Sequence, residues 1–109
     1  MANKIKLGDT VRSAIEVELW GDLDAETNDF PMLAAYYNDK NGVLTLPAIL
    51  SDSRQLRDEL TDMANAFDAT AERHTADKHE RTFARLASTM LARLSSAVTK
   101  HEKDLRSRK

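Results

Sequence analysis

Cysteine is absent from the 109-residue chain, which excludes disulfides, thiolate catalysis and cysteine-ligated zinc. A reducing compartment is the resulting expectation, with the cytoplasm the natural one. Glycine occurs three times and proline twice, too few turn residues for an all-β sandwich. No apolar run approaches the roughly 20 residues that a membrane-crossing helix needs, and the start, MANKIKLGDT, has lysines but no apolar signal-peptide core. No membrane association is expected. Glycine-rich phosphate loops, nucleophile elbows and paired-carboxylate signatures are also missing, and three scattered histidines do not make a catalytic unit. The chain is therefore not expected to be an enzyme, and no cofactor is expected.

What is present favours helix. The composition is 41% hydrophobic and 31% charged, too apolar for a disordered chain, and the length suits a single domain spanning 1–109. After Pro47, Asp52 and Gln55 have the spacing of a capping box ahead of Leu56, Leu60, Met63, Phe67, Ala71 and His74, which recur at helical steps of three and four. A second amphipathic pattern runs through Phe83, Leu86, Met90, Leu94, Ala97, Val98, His101 and Leu105, with Asp77 and Glu80 as its capping pair.

The stretch ERHTADKHER, residues 72–81, lies between the two patterns. Leu56 and Phe83 are 27 positions apart, about seven turns plus half a turn at about 100° per residue, so one continuous helix would put the two stripes on opposite sides. A bend near 73–77, capped by Thr75 or Asp77, lets the stripes face each other instead. The expected fold is mainly α: a long C-terminal antiparallel hairpin of helices at 51–74 and 77–105, packed with one or two short N-terminal helices through Ile15, Leu19, Trp20, Phe30, Leu33, Tyr36 and Tyr37.

The first 50 residues are harder to read. Asp9 or Thr10 can cap a helix carrying Val11, Ile15 and Leu19 on one face, although AIEVELW also alternates as a strand does. Asp29 stands before Pro31 as the cap of a short helix, PMLAAYY, which NDKNG ends. GVLTLPAIL is a short strand or an extended linker, and one strand alone makes no sheet.

Metal chemistry is weighed at two places and rejected at both. His74, Asp77, His79 and Glu80 are the right ligand types, yet the two histidines are five residues apart and Phe83 stands where a second HExxH histidine belongs. Asp22, Asp24 and Glu26 imitate a calcium loop, but Thr27 and Leu33 replace its glycine and its bidentate glutamate.

Charge is distributed unevenly. Residues 1–75 hold 7 basic and 14 acidic side chains, whereas 76–109 hold 9 basic and 4 acidic. Lys78, Arg81, Arg85, Arg93, Lys100 and Lys103 fall opposite or beside the last apolar stripe as a positive ridge, able to meet phosphate, the acidic residues Asp58, Asp62 and Glu72, or another subunit. No aromatic residue interleaves with the ridge to stack bases, and the remainder of the chain is acidic. The favoured reading is a non-catalytic interaction protein, a helical adaptor, inhibitor or assembly factor with a protein partner or a second copy of itself. Both stripes, Leu56, Leu60, Met63 and Phe67 with Phe83, Leu86, Met90, Leu94 and Val98, are the candidate core or oligomer surface, and a homodimer is expected to draw on residues of both. The alternative is a nucleic-acid-binding regulatory protein using the ridge.

Overall fold

The computed structural model describes residues 4–20, 30–38, 40–73 and 77–107. In chain order the elements are β1 (Lys4–Lys6), α1 (Asp9–Trp20), α2 (Pro31–Tyr36), β2 (Tyr37–Asn38), β3 (Val43–Thr45), α3 (Leu50–Ala71) and α4 (Lys78–Ser107). Helices α3 and α4 pack against each other as the expected hairpin, α1 lies on α4 and α2 lies on α3.

The break between the long helices forms where the charged stretch suggested. The last turn of α3 tightens as the Glu72 and Arg73 amides donate to the Ala69 and Thr70 carbonyls. Asp77 then caps α4, its Oδ1 accepting the Glu80 amide at 2.7 Å. Residues 74–76, and with them His74 and Thr75, lie outside the described residues. Phe67 and Phe83 close the hairpin near the break, edge to face with centroids 5.9 Å apart.

The other expected capping box does not form. Helix α3 starts at Leu50, so Asp52 is already in the first turn and accepts the Tyr36 hydroxyl at 3.3 Å, while Gln55 donates to Glu59 at 3.0 Å. In the first turn the Asp52 charge still favours the positive end of the helix dipole. Helix α2 likewise has no local side-chain cap. Its free amides at Met32 and Leu33 donate instead to the two carboxylate oxygens of Glu59 on α3, at 3.1 and 2.8 Å. Asp29, expected to cap this helix, lies outside the described residues.

A three-stranded antiparallel sheet in the order β1-β3-β2 adds to the helical picture. GVLTLPAIL contains a strand after all, and Lys4–Lys6 and Tyr37–Asn38 supply the neighbours that a lone strand would lack. The stretch AIEVELW is helical, with Val11, Ala14 and Ile15 turned into the core. Leu33, Tyr37 and Leu44 extend this core toward the sheet.

The stripe on α3 is placed as its spacing predicts: Leu56, Leu60, Met63 and Phe67 are all buried. On α4 the buried line is Ala84, Ala87, Leu91, Leu94 and Val98, with Phe83 and Met90 only half-buried beside it. Leu86, counted into the stripe from sequence, is 42% exposed. It sits about 100° around the helix from Ala87, and the two alanines let α3 approach on their side. The buried members of both stripes pack inside one chain as core, and Phe83, Leu86 and Met90 are the stripe residues that keep exposed surface.

Candidate interaction face on the last helix

A 30-residue helix buried along one line presents everything about 180° away to solvent. Lys78, Arg85, Arg93, Lys100 and Lys103 are all exposed there, and Arg81 is half-buried. From Arg81 to Lys103 the only acidic residue is Glu102. It does not dilute the outer charge, because its side chain is fully buried on the other side of the helix. Arg57 of α3 reaches both Glu102 oxygens at 3.0 Å, and Arg54 stands 3.8 Å from one of them. Burial opposes the Arg57 charge, yet the hydrogen bond to Asp58 and the field of Glu102 outweigh it and raise its pKa. The neighbouring His101, counted into the apolar stripe from sequence, is 6% exposed and donates through Nε2 to the Pro47 carbonyl, which can only accept. Together these contacts fix the rotation of α4 and hold its cationic side outward.

Three depressions mark this face. Lys78, Arg81, Thr82 and Arg85 line one near the hairpin turn, and Arg93, Ser96, Thr99, Lys100 and Lys103 line another toward the C-terminus. The third is an apolar groove of about 250 Å³ between β1, the start of α1 and α4, with Leu7, Val11, Met90 and Leu94 in its walls and Lys6 and Arg93 among its lining. Arg93 and Ala97 belong to both the groove and the C-terminal depression, so the two are adjacent. The sequence reading missed the β1 and α1 side of the groove. Its one signal was the alternation of lysine with Ile5 and Leu7 in KIKL.

No salt bridge joins Lys78, Arg85, Arg93, Lys100 or Lys103 to another described residue. Among the described residues, pairing of these five cations with Asp58, Asp62 or Glu72 is therefore not observed; Asp58 pairs with Arg57. Among the described residues no three His, Cys, Asp or Glu side chains converge as a metal site. His79 is exposed in the first turn of α4 and Leu33 is in the core, while Asp22, Asp24, Glu26 and Thr27 lie outside the described residues. No described helix is long and apolar enough to cross a membrane.

Fold and face together define a small helical-hairpin protein with a short antiparallel sheet and one cationic flank that adjoins an apolar groove. No family model, curated protein or solved structure matches the chain.

Proposed function

We propose that the chain is a non-catalytic interaction protein, an adaptor, inhibitor or assembly factor, that engages an acidic protein through the outer face of α4. The observation that carries this reading is that the C-terminal basic depression and an apolar groove adjoin at Arg93 and Ala97. A protein surface offers apolar side chains and carboxylates side by side, whereas a nucleic-acid backbone offers phosphate without aliphatic anchors. The absence of cysteine supports a cytoplasmic setting. Self-association would have to join surfaces outside the core, such as the exposed Asp58, Asp62 and Asp68 of α3 and Glu72 at its end against the cations of α4 in a second copy.

The nucleic-acid reading retains one supporting observation: three cations and a threonine, Lys78, Arg81, Arg85 and Thr82, line one depression together. Affinity capture from a lysate of the source cells, with wild type beside an Arg93→Glu, Lys100→Glu, Lys103→Glu variant, tests the proposal. A protein retained by wild type at about 0.15 M salt and lost with the variant supports it. Retention of nucleic acid, or a partner indifferent to the variant, overturns it.

A further inference from the structure

The geometry points to a specific occupant for the groove between β1, α1 and α4: a short amphipathic helix of a partner protein, with aliphatic anchors followed about two turns later by carboxylates. This rests on the reading of α4 as an interaction face and adds the chemistry of what binds there.

The apolar part is small. At about 250 Å³ it falls just under the roughly 300–1,000 Å³ of typical ligand pockets, so it suits one or two aliphatic side chains. Its floor is hydrocarbon from Val11, Met90 and Leu94, while Lys6 on one side and Arg93 on the other bring positive charge to the lining. Lys100, seven positions after Arg93, lies almost directly along α4 from it, about 10 Å further at 1.5 Å per residue, while Lys103 stands about 60° further round the helix, away from the groove. An apolar floor with Arg93 at its edge and Lys100 displaced along the helix axis matches a helix whose anchor at one position is followed by Asp or Glu about six or seven positions on. Such a ligand would bury its anchors and neutralise Arg93 and Lys100 together, and those cations have no salt bridge to other described residues.

Two other occupants fit less well. Duplex nucleic acid could meet the lysines but would leave the groove unfilled. A second copy brings acidic side chains on α3, yet its exposed large apolar residues, among those described, are Val17, Ile49 and Leu86, each on a different helix or connection and none on α3.

The test uses a fluorescein-labelled amphipathic peptide of about 16 residues with two leucines one turn apart and glutamates two turns further on, a matched peptide with lysine in place of glutamate, and a labelled DNA duplex of about 20 base pairs. Fluorescence anisotropy with the full chain should give micromolar binding of the glutamate peptide, at least about tenfold weaker binding of the lysine peptide, and a Kd that rises with salt. Ala97→Trp, which fills the groove, and Lys6→Glu, an exposed change at the sheet edge that leaves the core untouched, should each weaken the glutamate peptide by about tenfold or more. Circular dichroism confirms that the variants fold, and Lys6→Glu carries the test if Ala97→Trp does not.

No binding of the glutamate peptide overturns the inference, as does preference for the duplex. If Lys100→Glu with Lys103→Glu abolishes peptide binding while Ala97→Trp and Lys6→Glu leave it unchanged, the charged face stands and the groove assignment falls. If the Lys100→Glu, Lys103→Glu variant binds as wild type does, the interaction-face reading falls with it. Sedimentation that shows wild-type dimers dissociated by Lys6→Glu assigns the groove to a second copy and likewise overturns the partner-helix assignment.

Discussion

Gly42 shows how one backbone position shapes the N-terminal half. It adopts a φ of +67°, in the left-handed region, and a Cβ built there would come within 2.6 Å of Arg12 Nε. Lys40 donates to Asn38 Oδ1 and Gly42 donates to the Asn38 carbonyl, so NDKNG turns the chain from β2 into β3. The same five residues read from sequence as the end of a helix, because an Asn-Gly pair marks a reversal without specifying the elements on either side of it. Gly42→Ala combines about 1–2 kcal/mol of left-handed strain with displacement of the Arg12 side chain, so a loss of about 1–3 kcal/mol is expected. Gly8→Ala meets no atom within 4 Å and has no positive φ, and should cost less than about 1 kcal/mol. Urea denaturation of the two variants checks the contrast, and equal losses would mean that the turn conformation contributes nothing. Tyr36 offers a pH test at the same scale. Burial first, and then the Asp52 charge and hydrogen bond, raise its hydroxyl above the ordinary tyrosine value of 10.0. The native state therefore keeps this proton longer than the unfolded chain does. Its stabilising contribution is complete below the unfolded pKa of about 10 and is lost as pH rises through the folded value. Ultraviolet titration should show one tyrosine ionising late, and Asp52→Asn should bring it earlier.

At the scale of elements, length decided what could be read in advance. Helices of 22 and 30 residues repeat their apolar spacing many times, so the hairpin and its break were legible from Leu56, Leu60, Leu94 and Asp77. Strands of two and three residues show too few alternations to register, and their pairing of Lys4–Lys6 with Val43–Thr45 spans about 40 positions of chain. The buried carboxylates were illegible for another reason, since Glu59 and Glu102 serve partners far away in sequence, the α2 amides and Arg57. Spacing did place Leu86 in the core, and the structure supplies the test of that difference. Leu60→Ala should cost about 2–5 kcal/mol because Leu60 is fully buried between the helices, while Leu86→Ala should cost less than about 1 kcal/mol. A large loss at Leu86 would place that side of α4 in an interface. The Arg57–Glu102 pair separates pairing from burial. Arg57→Met leaves a fully buried carboxylate with only Arg54 at 3.8 Å, and should be more destabilising than Arg57→Met combined with Glu102→Met, which removes the stranded charge. A double variant weaker than the single would show that the pair stabilises the hairpin beyond relieving its own desolvation.

Across the described residues, exposed charge is unevenly divided: α3 and its C-cap carry Asp58, Asp62, Asp68 and Glu72, and most of the exposed cations are on α4. If the two sets held the hairpin together, reversing the cations would weaken the fold. They lie on outward surfaces instead, and the ion pairs that join α3 to α4 use Arg54, Arg57 and Glu102. The triple reversal Arg85→Glu, Arg93→Glu, Lys100→Glu should therefore change folding stability by less than about 1 kcal/mol, and any change should shrink as salt is raised. A loss of several kcal/mol would return the ridge to an internal role. The same protein samples decide between partners. At about 0.15 M salt the Debye length is about 8 Å, so only close phosphate contacts survive, and the acidic residues over the first 75 positions oppose the approach of a polyanion. Wild-type chain titrated into labelled duplex and single-stranded DNA and RNA should show no binding at micromolar concentration. Micromolar affinity with a log–log salt slope that falls in the triple reversal would instead make the ridge a phosphate track and displace the acidic-protein reading.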